Sequence, residues 1–142
     1  MPQAKAQLRS PLAPAEALRV ITDFGAGRAD VWPGVDEAYL TVHDTGTRWA
    51  DVTEGNARTW ERVRYTWSED GTSITAVTTD SNVWAAGSRW DYTLAPDGSG
   101  TRIDVRLTRH GKNLKGRLIG SLLPVLGTSV ITKSFRGPLQ AT

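Results

Sequence analysis

The chain has no cysteine, which excludes disulfides and thiol chemistry. Without cysteine, its two histidines cannot assemble the usual zinc clusters. No apolar run approaches the ~20 residues of a membrane span. The N-terminal "MPQAKAQLRS" has no apolar signal core, which predicts a cytoplasmic protein. An excess of one charge is lacking too: the formal net charge is +2, too mild to imply nucleic acid. There is no G-x-S-x-G elbow, and neither histidine is expected on an inward strand position, so a Ser/His/Asp site has no base. "GAG" and "GSG" are turn glycines, and in "HGKNLKG" the lysine lies at the wrong end of the glycine spacing for a phosphate loop. Repeats and long linkers are missing, so the 142 residues read as one domain. Nothing implies a metal or a cofactor.

What is present is alternation. In "SRWDYTLAPDGSGTRIDVRL", residues 88–107, Trp90, Tyr92 and Leu94 fall on one side and Arg89, Asp91 and Thr93 on the other. Past the turn, Ile103, Val105 and Leu107 continue against Arg102, Asp104 and Arg106. A period of two marks a half-buried strand. The same beat predicts six strands, at 37–43, 47–53, 58–67, 73–83, 88–94 and 102–109. Their connections, "DTG", "EGNA", "EDG", "AAG" and "PDGSG", are short and carry glycine or its neighbours in turn chemistry, so successive antiparallel hairpins are expected. Upstream, "SPLAPAEALRVITDF" reads as a short strand and then a helix with Pro14 in its first turn. "RADVWPGV" reads as a loop or a second short helix. Downstream, "NLKGRLIGSLLPVLGTSVITKSF" predicts one long helix kinked at Pro124, with Leu114, Leu118, Leu122, Val125, Leu126 and Val130 as its packing face.

Turn length sets which residues share a face, because a one-residue slip inverts a strand. Three-residue loops at "EDG" and "DTG" would set Val63 opposite Val77, Tyr65 opposite Thr75 and Leu40 opposite Ala50. Two-residue turns at Gly55-Asn56 and Ala86-Gly87 would set Ala50 opposite Glu61 and Val83 opposite Trp90. The last hairpin would set Tyr92 opposite Val105 and Asp91 opposite Arg106. In this register the buried face also takes in Arg48, Glu61, Thr75, Thr79 and Ser81. An unpaired buried charge costs several kcal/mol, so Arg48 and Glu61 are expected to pair across neighbouring strands. Such a pair is either structural or a polar patch inside a cavity that orients a mostly apolar ligand.

The order of strand, helix, antiparallel strands and long C-terminal helix resembles the helix-grip fold. "GSRWDYTLAPDGSGTRIDVRLTR" is similar to the last hairpin of the START-like (SRPBCC) polyketide cyclase/dehydrase superfamily, "LAPAEALRVITDF" to its first helix and "TWERVRYTW" to its middle strand. The resemblance implies an α+β, Bet v 1-like domain in which a curved antiparallel sheet of about seven strands wraps the C-terminal helix. It also implies a cavity between sheet and helix for a lipid, sterol, polyketide or other hydrophobic molecule. Arg48, Glu61, Thr79 and Ser81 would supply its polar contacts, Tyr65, Trp90 and Tyr92 its walls, and Leu118, Leu122 and Leu126 its helical side. Glu61 is the candidate for acid–base work in a cyclase or dehydratase. An interaction module with a filled cavity is a further alternative.

Two surface features stand apart. Arg109, Lys112, Lys115 and Arg117, with His110, surround the start of the last helix, where cations oppose the helix dipole. They form either a solvated patch or a contact for an anionic headgroup or membrane surface. Trp49, Trp60 and Trp84 are expected to share the outer sheet face, as cation–π packing or as an interface for a second subunit.

Overall fold

The computed structural model describes residues 2–142. Seven strands form one antiparallel sheet in the order β1-β7-β6-β5-β4-β3-β2. They are β1 (Gln3–Ser10), β2 (Thr41–Gly46), β3 (Trp49–Gly55), β4 (Trp60–Trp67), β5 (Ser73–Ser81), β6 (Arg89–Asp97) and β7 (Gly100–Thr108). Helices α1 (Pro14–Thr22) and α2 (Arg28–Val31) and a 3₁₀ turn at Glu37–Tyr39 lie between β1 and β2. Helices α3 (Leu114–Ser121) and α4 (Leu123–Arg136) follow β7. One face of the sheet packs on α1 and α4 and shares a single core with Ile21, Ile131, Phe135 and Leu139. This is the α+β helix-grip arrangement.

Alternation explains most of the sheet. Ala4, Ala6 and Leu8 are buried while Gln3, Lys5 and Gln7 are exposed, so the first strand lies upstream of "SPL", not within it. The last hairpin pairs Tyr92 with Val105 and Asp91 with Arg106, as its turn length requires. The other hairpins differ from expectation because their turns differ in length or position. Residues 69–72 close β4–β5, so Tyr65 faces Ala76, not Thr75. Ile74, Ala76 and Thr78 are then the buried set, and Thr75 and Val77 turn outward. A bulge at Thr79 resets the parity, exposing Thr79 and burying Ser81. Residues 56–59 close β3–β4, which sets Ala50 opposite Tyr65 and not Glu61. Strand β2 begins later and runs through "DTG", so Thr45, not Leu40, faces Ala50. Trp90 pairs with Ala76, because residues 82–88 make a long connection.

The largest correction concerns the C-terminus. The expected single helix is two, meeting at 82°. Pro124 sits in the first turn of α4, where its missing amide hydrogen ends the ladder of α3. The buried face is also the reverse of the expected one: it carries Gly116, Gly120, Gly127, Ile131 and Phe135. A Cβ on Gly116 would lie 2.0 Å from the Val83 carbonyl oxygen, and one on Gly127 would lie 2.4 Å from the Ala4 Cβ. Only glycine allows this approach, so the glycine side packs inward and Leu114, Leu118 and Val125 are exposed. The chain ends with Leu139 and Ala141 buried, and Thr142 exchanges backbone hydrogen bonds with Arg9 on the edge of β1.

Candidate functional site

Between the sheet and α4 lies an open cavity of about 480 Å³. Strands β3, β4, β6 and β7 form its floor, α2 and residues 32–35 one side, and the α3–α4 bend and α4 the other. Its walls are aromatic. Trp90 and Tyr92 stand side by side on β6, with ring planes 6° apart. Phe135 of α4 stacks on both, at 6.0 Å from Trp90 and 5.8 Å from Tyr92. Trp32 meets Phe135 edge-on at 5.2 Å.

Two buried ion pairs reach this space. Arg109, just past β7, donates from Nη1 to Glu61 Oε2 at 2.8 Å and from Nη2 to Glu61 Oε1 at 3.3 Å. The Thr78 hydroxyl donates to the same Oε2 at 2.7 Å. The Arg109 guanidinium also lies 4.9 Å from the Trp84 ring and 5.6 Å from that of Trp90. In the second pair, α2 carries Arg28, whose Nε donates to Glu54 Oε2 at 2.8 Å. Its Nη1 donates to the carbonyls of Ile21 and Asp23, and its Nη2 donates to the Tyr65 hydroxyl. Tyr65 donates in turn to Glu54. The Arg28 guanidinium sits among the rings of Phe24, Trp32 and Tyr65. With its donors engaged on α1, β3 and β4, Arg28 ties those elements together.

Burial alone would push the Glu61 carboxyl up, but Arg109, by charge and hydrogen bonding, and Thr78 bring it below the ordinary carboxylate range. Burial pushes the Tyr65 phenol far up, and the charge of Glu54 adds to this. The phenol of Tyr92 moves up for the same two reasons. At neutral pH these groups therefore hold one protonation state each. One buried donor is left over: Trp84 Nε1 has no hydrogen-bond partner among the described residues.

The sequence-predicted residues divide. Glu61, Tyr65, Trp90 and Tyr92 converge on the cavity, and Leu122 and Leu126 stand at its rim, both lining it and half-exposed. Arg48 does not reach it: it occupies the tip of the β2–β3 hairpin, exposed, with φ 107°. Glu61 takes Arg109 as its partner instead, so Arg109 leaves the expected surface cluster for the interior. Thr79 is outside on the bulge, its hydroxyl bonded to the Arg62 carbonyl. Ser81 is buried, but its Oγ donates to the Trp60 carbonyl and accepts from the Val83 and Trp84 amides, shaping the connection after β5. Leu118 faces solvent and does not line the cavity. Trp84 is not on the outer face; it lies inside, 5% exposed. Trp49 is outside as expected, packed against Arg64.

Arg28 and Glu54 escaped the sequence reading, which placed Trp84 and Arg109 on the surface. For Glu54 and Arg109 a signal existed. Ala50, Val52 and Glu54 share one parity on β3, and Ile103, Val105, Leu107 and Arg109 share one parity along β7 and its end. Nothing in "RADV" distinguishes Arg28 from a surface residue.

No protein-family description and no curated protein matches this sequence. Solved structures do match in fold. A protein from Thermus thermophilus superposes with a TM-score of 0.73 at 17% identity, over 98% of this chain and 92% of the other. A START superfamily protein from Mycobacterium smegmatis gives 0.72 at 10% identity, over 97% of each chain. The di-domain aromatase/cyclase of the steffimycin biosynthetic pathway gives 0.74 at 15% identity, over 98% of this chain and 50% of the other. The chain thus has the START-like helix-grip fold of which these are examples.

Proposed function

We propose that this protein binds a hydrophobic, flat, oxygen-bearing small molecule in the cavity between the sheet and α4. The observation that carries this reading is an open cavity of about 480 Å³ whose aromatic walls surround fully paired charges. That volume falls in the range of about 300–1,000 Å³ typical of ligand pockets. The near-parallel rings of Trp90, Tyr92 and Phe135 favour a planar ligand. The Glu61–Arg109 pair, which lines the cavity, favours a hydroxyl or carbonyl oxygen on it, since ligand pockets orient a mostly apolar molecule by a few placed polar groups.

A second reading is a cyclase acting on such a molecule, and the ionisable groups in the cavity support it. Their protonation argues for binding instead. A general base works best with a pKa near the working pH. Glu61 lies low and is chelated by Arg109, while Tyr65 and Tyr92 lie high.

The test is titration with anilinonaphthalene sulfonate, alongside native mass spectrometry of the purified protein and its organic extract. The expected result is one saturating site. It should be lost in Ser134→Trp, which fills the cavity from α4, without loss of thermal stability. Fluorescence enhancement unchanged by Ser134→Trp would mean that the dye binds elsewhere and that the cavity reading is wrong. Conversion of a polyketide-like substrate, abolished in a folded Glu61→Gln variant, would favour the cyclase.

A further inference from the structure

Aliphatic side chains on α3 and α4 face solvent to an unusual degree: Val125 is 80% exposed, Leu114 73% and Leu118 61%. On α3, Leu114 and Leu118 lie opposite the buried Gly116 and Gly120, with Lys115 to one side and Arg117 to the other. Ile119, Leu122, Leu126 and Val130 extend this apolar surface to the cavity, since they are exposed and line it at once. Isolated exposed leucines need no explanation, but a contiguous face at the mouth of a cavity does.

The charge around that face is one-sided. Residues 105–142 contain seven Lys or Arg and no Asp or Glu, whereas residues 1–104 contain ten Lys or Arg and fifteen Asp or Glu. Of the seven, Arg109 is consumed by Glu61. Lys112, Lys115, Arg117, Lys133 and Arg136 are exposed, and the last two cap the far end of α4. Lys115, Arg117, Lys133 and Arg136 make no ion pair among the described residues.

We propose that the α3–α4 elbow is a docking surface for an anionic lipid bilayer, with the leucine face entering the headgroup–acyl boundary and the flanking cations meeting lipid phosphates. Apolar side chains rimmed by Lys and Arg, on helices lying in one surface, are what an interfacial membrane contact requires. No single helix among the described residues is long and apolar enough to cross a membrane, and the glycine faces of α3 and α4 stay packed on the protein. The elbow therefore lies on a bilayer and does not span it. A second copy is the poorer occupant. A two-fold contact across this face would bring Lys115 and Arg117 of both copies together, with no acidic residue in either segment to neutralise them. The proposal is independent of the ligand reading, although it would set the cavity mouth on the membrane.

Flotation of the full chain with phosphatidylglycerol-containing vesicles, against pure phosphatidylcholine vesicles, tests it. Binding is expected only to the anionic vesicles, and it should weaken as salt rises from about 0.1 to 0.5 M. Replacing both Lys115 and Arg117 by Gln should weaken it roughly 25-fold, about fivefold per cation. Leu118→Asp should abolish binding, with the melting temperature unchanged because Leu118 is already in solvent. Ser134→Trp, which blocks the cavity, should still bind, which separates this proposal from the ligand reading. Equal binding to neutral vesicles, or none to either, would overturn the proposal. So would a dimer that Leu118→Asp dissolves in the absence of vesicle binding; it would assign the face to a second copy.

Discussion

The Glu61–Arg109 pair lends itself to a quantitative test. Both side chains are almost withdrawn from solvent, at 12% and 8% exposure. Glu61→Gln keeps the shape and the Thr78 contact but leaves the Arg109 guanidinium buried without an anion. Breaking a buried pair from one side costs about 3–5 kcal/mol. At this chain length a loss near 3 kcal/mol lowers the melting temperature by roughly 10 °C. Removing both partners, as Glu61→Leu with Arg109→Met, should recover most of that loss, since apolar residues of similar volume replace a buried pair at little net cost. The sign of the pH dependence follows from the carboxyl, whose folded pKa lies below its unfolded value of about 4.3. Its stabilisation is present above that unfolded value and is lost as pH falls through the folded one. The gap in melting temperature between wild type and Glu61→Gln should therefore be full at pH 7 and shrink below about pH 4. Thermal denaturation across that range measures it. A gap that grows in acid, or a double variant less stable than Glu61→Gln, would refute the account of the pair.

Two further predictions concern the fold. Gly116→Ala would force a Cβ against the Val83 carbonyl, and the loss, about 1–3 kcal/mol as for overpacking, should appear as a lower midpoint in denaturant. Gly120→Ala, with nothing nearer than 3.6 Å, should be close to neutral and serves as its control. Leu94→Asp should abolish folding, since Leu94 is 2% exposed. Thr93→Lys should be tolerated, because Thr93 is exposed and faces Asp104 across the β6–β7 ladder. Circular dichroism that treats the two alike would show the register of β6 to be wrong.

The site was legible in part. Tyr65, Trp90 and Tyr92 reach the cavity because strand parity carried them there, and the last hairpin, with its short turn, kept its register. Glu61 was placed inside correctly but given Arg48 as partner. The β2–β3 turn lies further along than "DTG" suggests, and this moves Arg48 out to the hairpin tip. Thr78 and Thr79 exchanged places through one extra turn residue, and a bulge at Thr79 then returned Ser81 to the inside; neither feature has a composition of its own. Arg28 reached the interior from a short helix that only the packed sheet could position.

The amino-acid order alone determined the succession of hairpin strands before a helical C-terminus, the alternating faces of β6 and β7, and an interruption at Pro124, read as a kink where the structure has two helices. These follow from local rules: side chains alternate along a strand, and proline lacks an amide hydrogen. Tertiary structure decided the partners of the charged residues and the roll of α3 and α4. Periodicity marks the leucine stripe as the helical face to bury, because hydrophobicity carries no direction. The backbone contacts of Gly116 with Val83 and of Gly127 with β1 do carry direction, since only the glycine side fits that close to the sheet. That fit turned the leucines outward to the mouth of the cavity.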